Sequence, residues 1–300
     1  MFQTVGLRRF TKGNLVKAVK RIFALGALLI VLALVGVILV GWTLVRPVQK
    51  RVGDPPPDLN AHTINFKSDS GTEVAGWWCP VEHDRGAVLL LPGVRANRLS
   101  MVERARFLRH AGYSTLLIDL QATGETHGDR ITFGWKESRD VLAAVNFIRA
   151  AQPTSRVAII GSSLGGAAAL LAIPPLNVDA LVLEAVYPSI DVATQNRLEN
   201  YLGFLGRAIT PFFLAQFRTR LGISTSDLRP IDHIDKVSCP IFFLSGEKDR
   251  RTRPEETRML SSTAYSPNQV WLVPEAGHVD LHRAARAEYE ARVLAFLNKM

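Results

Sequence analysis

The sequence predicts an α/β layer fold. The expected architecture is a mostly parallel eight-stranded sheet with helices on both faces and a helical lid insertion, preceded by one transmembrane helix. Three observations carry that expectation. After residue 60, short runs rich in Val, Ile and Leu alternate with helix-like stretches. A 24-residue run without a charge stands near the N-terminus. A turn of small residues, "GSSLGG" at 161–166, joins one apolar run directly to a helical stretch.

Residues 1–21 form a basic segment with Arg8, Arg9, Lys12, Lys17, Lys20 and Arg21 and no acid. Residues 22–45, "IFALGALLIVLALVGVILVGWTLV", follow. At helical rise they span roughly 36 Å, enough for a hydrocarbon core of about 30 Å. A signal peptide is the rival reading, but its apolar core is shorter and ends in small residues. Here Trp42, Leu44, Val45 and Arg46 occupy the end, so the stretch reads as a retained membrane anchor. Six Lys/Arg precede it and three follow. The positive-inside tendency then puts the N-terminus in the cytoplasm and the remaining chain on the non-cytoplasmic side. Residues 46–60, with Pro55, Pro56 and Pro57, read as an extended, semi-rigid linker. The folded domain, 61–300, is expected to begin near Asn60.

The net charge of +9 invites a nucleic-acid reading, but its distribution argues against one. Nine Lys/Arg and no acid lie in residues 1–51, which leaves 27 basic against 27 acidic residues in the rest. No basic groove is expected on the domain, and no nucleic-acid partner. The two cysteines, Cys79 and Cys239, have no metal-ligand spacing. They read as buried thiols or, in an exported domain, as a disulfide. Nothing in the sequence specifies an oligomeric state.

Within the domain, strand candidates are 62–67, 73–79, 86–91, 114–119, 156–161, 180–185, 240–245 and 269–273. Helical stretches are 99–111, 136–151, 164–173, 254–263 and 281–298. The later strands are continuously apolar, as in a parallel sheet covered on both faces. The first two have no helix between them and are expected as an antiparallel edge. Residues 189–228 interrupt the alternation with a helical insertion. Its Tyr201, Leu202, Phe204, Leu205, Phe212, Phe213, Leu214 and Phe217 suit either core packing or a lid over an acyl-sized pocket.

The turn at 161–166 offers two serines. A reactive serine needs a sharp strand-to-helix turn, with small residues two before and two after it. Ser163 has Gly161 and Gly165 there, whereas Ser162 has Ile160 and Leu164. A neutral hydroxyl also needs a base, and the base needs a third group to fix its tautomer. His278, in "AGHVDL" after the last strand, is preferred to His233 and His282. Asp249, in "SGEKDR" at a strand's C-terminal end, is preferred to Glu184, though a turn-capping carboxylate is its bland alternative. Two backbone N–H groups are expected to face a developing oxyanion: Leu164, directly after the serine, and Val94, in the "LLLPGVRANR" turn. Arg95 in that turn reads as a surface arginine, or as a contact for a substrate carboxylate or phosphate.

"GSSLGG", "SGEKD" and "AGHVDL", with "LIDLQATGETHG" and "TFGWKESRDVLAAVNFI" between them, resemble the α/β-hydrolase superfamily over residues 60–298. The similarity is greatest to serine hydrolases related to prolyl oligopeptidase-type peptidases and to membrane-anchored lysophospholipase-like proteins. The resemblance implies a nucleophile, acid and base at Ser163, Asp249 and His278. The family commonly has His-Gly in the oxyanion turn, where this chain has Pro92-Gly93. Together these readings predict a membrane-anchored hydrolase of carboxylic esters, lipid-like ones included, acting without metal or organic cofactor. A peptidase or amidase with the same triad, and a non-catalytic binding protein on this scaffold, are the alternatives.

Overall fold

The computed structural model describes residues 12–300. Arg8 and Arg9 of the basic N-terminal segment lie outside the described residues. The chain divides into two compact units, one ending at Thr43 and one running from Leu44 to Met300. The first consists, where described, of helix α1 (Lys12–Val45) as far as Thr43. Its stretch Val19–Val45 is long and apolar enough to cross a membrane. Phe23, Leu29, Ile30, Leu32 and Leu39 are each more than half exposed. Apolar groups on every side of a helix suit lipid rather than water around it.

The domain is built on an eight-stranded sheet in the order β10-β9-β8-β7-β4-β5-β3-β2. The strands are β2 (His62–Lys67), β3 (Glu73–Cys79), β4 (Ala87–Leu91), β5 (Ser114–Ile118), β7 (Val157–Ser162), β8 (Ala180–Glu184), β9 (Ile241–Gly246) and β10 (Asn268–Val273). As expected from the missing helix between them, β2 and β3 pair antiparallel, and β3 runs antiparallel to β5. All other pairings are parallel. The central strands β4, β5 and β8 are buried throughout. β10 lies at the edge with its first three residues exposed, so its apolar run reflects position less than the others do.

Two cores flank the sheet because alternate side chains of each strand face opposite ways. Leu89, Leu91, Leu116 and Ile159 face one, with α3 (Glu137–Ala151) and α4 (Leu164–Leu170) packed there. Val88, Leu90, Leu117 and Ile160 face the other, under α2 (Val102–His110) and α9 (Arg286–Leu297). α7 (Pro254–Thr263) joins β9 to β10. Fully burying one such aliphatic side chain contributes about 1.5–3 kcal/mol. Cys79 and Cys239 are both buried and unpaired. Burial pushes the Cys79 thiol up to about 11 and that of Cys239 up to about 12.

Two expectations need correction. The segment 46–60 is not a free spacer, and the domain begins well before Asn60. Strand β1 (Val48–Gln49) pairs in parallel with β6 (Thr123–Gly124). The Glu125 carboxylate accepts the N–H groups of Val52 (2.9 Å) and Gly53 (3.1 Å), and Leu59 is fully buried. Backbone pairing of this kind leaves no mark in side-chain pattern. Secondly, the final helix is broken. α8 (Leu281–Ala284) ends at Ala285, where φ −141° and ψ 52° leave the helical region before α9 starts. The insertion is helical, as expected: a hairpin of α5 (Ile190–Leu202) and α6 (Phe204–Leu221), turned at Gly203 with φ 58°. Phe213 is buried and Phe217 packs on the core, but Tyr201, Leu202, Phe204, Leu205 and Phe212 are exposed.

Candidate active site

β7 ends at Ser162, and Ser163 makes the turn into α4 with φ 47° and ψ −107°. A non-glycine residue at positive φ outside the left-handed helical well is strained, at a cost of order 1–3 kcal/mol. The turn is held from both sides. Ser163 N–H donates to the Glu184 carbonyl of β8 (2.7 Å), and the Ser163 carbonyl accepts from Ala167 (2.9 Å). Small residues make it possible. A Cβ on Gly165 would lie 2.6 Å from Leu91 Cβ and 2.7 Å from the Leu91 carbonyl, and one on Gly161 would lie 2.6 Å from Gly166 Cα. Of the two adjacent serines, Ser163 therefore occupies the strained position.

The 92–95 turn lies directly against this elbow. A Cβ added to Gly93 would sit 3.9 Å from Ser163 Cβ. Ala96 N–H donates to the Gly93 carbonyl (3.1 Å) and Arg95 has φ 61°. Val94 is thus the second residue of a tight turn, next in sequence to the Gly93 that abuts the serine. Leu164 is the first residue of α4, and a helix's first N–H groups have no acceptor within the helix. Arg95 is exposed and its guanidinium donates to the Arg46 carbonyl at 3.5 Å, which ties it to the segment that follows α1.

Asp249 follows β9, and His278 follows β10, at the same C-terminal edge of the sheet as Ser163. Gly246 lets the two loops meet, since a Cβ there would be 2.4 Å from the carbonyls of Ala276 and Gly277. His278 Nδ1 and Asp249 Oδ2 are hydrogen-bonded at 2.8 Å. Asp249 is 2% exposed. Its other oxygen accepts the N–H groups of Arg251 (2.7 Å) and Thr252 (2.9 Å). The carboxylate is thereby fixed by three donors. His278 remains partly exposed at the cleft. Ser163 and His278 share the rim without a direct hydrogen bond, and such contacts commonly tighten only when substrate is bound.

The rival residues are engaged elsewhere. Glu184 binds Arg104 through both oxygens (2.9 and 2.7 Å) and also accepts from the Tyr289 hydroxyl. His282 is buried, bonded to Glu290 (2.9 Å) and stacked on Phe107. His233 lies between two short helical turns, Pro230–Asp232 and Ile234–Lys236, with a pKa lowered by burial and by Lys236.

Two buried ion networks that no local pattern signals brace the rim. Arg104 of α2 joins Glu184, beneath the serine turn, to Asp280 (2.8 Å), two residues past His278. Arg98, fully buried and lying over Trp77, joins Asp119 to Glu125. Removing one partner of such a network leaves a buried charge uncompensated, at about 3–5 kcal/mol.

Comparison with known proteins agrees with this architecture. The model of the alpha/beta hydrolase family matches residues 88–292. The chain is 28% identical over 249 residues to the alpha/beta hydrolase domain-containing protein WAV2 of Arabidopsis thaliana, covering 79% of this chain and 78% of that one. It is 20% identical to the uncharacterized protein YqkD of Bacillus subtilis, over 77% of each. Among solved structures, an esterase of Pyrococcus furiosus superposes with a TM-score of 0.71 at 21% identity, over 85% of this chain and 98% of the esterase. A sheet of this order, a strained serine turn after β7 and a family match across two thirds of the sequence place the chain in the alpha/beta hydrolase family.

Proposed function

We propose that the protein is a membrane-anchored serine hydrolase that cleaves carboxylic esters through an acyl-enzyme. Ser163 attacks the carbonyl carbon as His278 takes its proton. Asp249 holds the imidazole in the tautomer with Nδ1–H and offsets the imidazolium charge. The N–H groups of Leu164 and Val94 stabilise the oxyanion, a contribution of about 2.7–4 kcal/mol per donor in comparable sites. The alcohol leaves with the proton from His278. His278 then activates water, which releases the acid and restores Ser163.

The observation that carries this reading is the His278–Asp249 hydrogen bond at the same sheet edge as a serine held at φ 47°. The P. furiosus esterase has the same fold, which is consistent with ester chemistry. The anchoring rests on the length and composition of Val19–Val45.

The test is labelling of the full chain with a fluorophosphonate, followed by a panel of acyl esters and aminoacyl amides. We expect label on wild type, none on Ser163→Ala, and ester turnover well above amide turnover. Absence of label, or label unchanged in Ser163→Ala, would overturn the serine mechanism. Amide turnover above ester turnover would make the protein a peptidase or amidase instead.

A further inference from the structure

The domain neutralises its deeply buried arginines by carboxylate pairs. Arg98 has Asp119 and Glu125, and Arg104 has Glu184 and Asp280. Two arginines beside the candidate triad are treated differently. Arg197 projects from α5 and is mostly shielded from solvent. Among the described residues its guanidinium makes no hydrogen bond and no ion pair. Arg251 is also mostly shielded, and its guanidinium donates only to the neutral Tyr201 hydroxyl (3.1 Å).

Both are fixed close to the chemistry. Asn196, the neighbour of Arg197, donates its side-chain amide to the Arg251 carbonyl (3.2 Å). Arg251 N–H in turn donates to Asp249, which holds His278. The carboxylate in the field of Arg197 is that same Asp249, whose oxygens are already taken by His278, Arg251 and Thr252. Glu199, on the same helix, is spent on Arg253 (2.6 Å) and Gln195 (2.9 Å). Burial, and then the like charge of Arg251, hold the Arg197 guanidinium below the usual arginine range. Keeping an unpaired, part-desolvated guanidinium is costly. Its planar fork of donors matches a carboxylate or phosphate, and such a group would offset the cost with charge-assisted hydrogen bonds.

We propose that Arg197 and Arg251 form an anion subsite on the insertion side of the triad, which receives a carboxylate or phosphate carried by the ester substrate. The proposal rests on the hydrolase reading and narrows it to esters with an anionic group.

The full chain in detergent would be given matched ester pairs. Para-nitrophenyl butyrate is paired with para-nitrophenyl hydrogen succinate, and phenyl acetate with para-acetoxyphenyl phosphate. The quantity read is the ratio of kcat/KM for the anionic over the neutral member. We expect one pair to favour the anionic member, and that ratio to fall by about tenfold in Arg197→Gln and in Arg251→Gln. Arg197→Lys, which keeps the charge, should retain part of the preference. The remote surface variant Arg258→Gln should leave the ratio alone. Preference within the first pair assigns a carboxylate, and within the second a phosphate. Neutral members favoured in both pairs, or ratios unmoved in both glutamine variants, would overturn the subsite. A second arm does not need turnover: succinate and inorganic phosphate are titrated calorimetrically into Ser163→Ala protein. Saturable binding that disappears with Arg197→Gln would support the subsite even if no ester were cleaved, in which case the hydrolase reading alone would fall. Ester cleavage without anion preference or anion binding would remove the subsite and leave the hydrolase standing.

Discussion

Asp249 is held by three donors, and only one of them is His278. Its replacement by Asn therefore separates tautomer control from local structure. The Asn oxygen keeps an acceptor for the Arg251 and Thr252 N–H groups. Its amide nitrogen, however, presents a donor to His278 Nδ1, which favours the wrong tautomer. Asp249→Asn is expected to lower kcat by about 10³–10⁴-fold with a thermal midpoint close to wild type. A loss below tenfold in steady-state ester kinetics would show that Asp249 is only a turn cap. Asp140 gives a second prediction at this scale. Burial pushes its carboxyl from 3.8 up to about 7, despite a hydrogen bond from Gln121 N–H at 2.8 Å. The native state thus holds this proton more tightly than the unfolded chain. The stabilisation is complete below the ordinary carboxyl value and is lost as pH rises through about 7. Wild type should lose stability to urea from about pH 4 to about pH 7 relative to Asp140→Asn. Parallel stability curves for the two proteins would refute the shift.

At the scale of elements, the segment between α1 and β2 behaves as part of the domain. Val48 N–H donates to the Ala122 carbonyl and Lys50 N–H to that of Gly124, both at 2.8 Å. Glu125 receives two further N–H groups from Val52 and Gly53 while also binding Arg98. A fragment of residues 44–300 should therefore be more stable than one of residues 54–300, by about 1–3 kcal/mol, since the N–H groups of Val48, Lys50, Val52 and Gly53 and the carbonyls of Val45 and Arg46 all lose hydrogen bonds to the domain. For a domain of this size that corresponds to about 2–10 °C in Tm. Equal Tm values by calorimetry would show that the segment is only draped on the surface. This element also marks the limit of what the sequence makes legible. Ser163, Asp249 and His278 could be picked out because each sits at a junction with a local signature: a glycine pair around a serine, or a polar turn after an apolar strand. The strand alternation was legible for the same reason. The strap was not, because its partners are main-chain groups whose pairing is indifferent to side chain. Nor were the arginine networks, since Arg104 meets Glu184 and Asp280 across 80 and 176 residues of sequence. Arg197 was missed because a charge on a helix is ordinarily solvated, and only burial without a partner sets it apart.

For the whole molecule, the two units make different demands on their surroundings. The domain buries its apolar residues in two cores and carries close to balanced charge, with 30 basic against 27 acidic residues from Leu44 on, so water suits it. Helix α1 keeps apolar side chains exposed along Val19–Val45. At about 25 cal/mol per Å² of apolar surface, leaving that helix in water is strongly unfavourable, and a bilayer would relieve that cost. A retained anchor and a cleaved leader both satisfy this, but they predict different fates for the chain. If the anchor is retained, the mature protein should keep its full-length mass and stay with membranes through alkaline carbonate extraction. The 44–300 fragment should then be released by the same treatment. Recovery of a shortened soluble protein would identify the helix as a leader instead. Sidedness follows from the six basic residues before the apolar run against three after it. Protease added to intact spheroplasts should degrade the domain while sparing a cytoplasmic control protein. Protection of the domain until the cells are lysed would reverse the orientation and put the candidate active site on the cytoplasmic face.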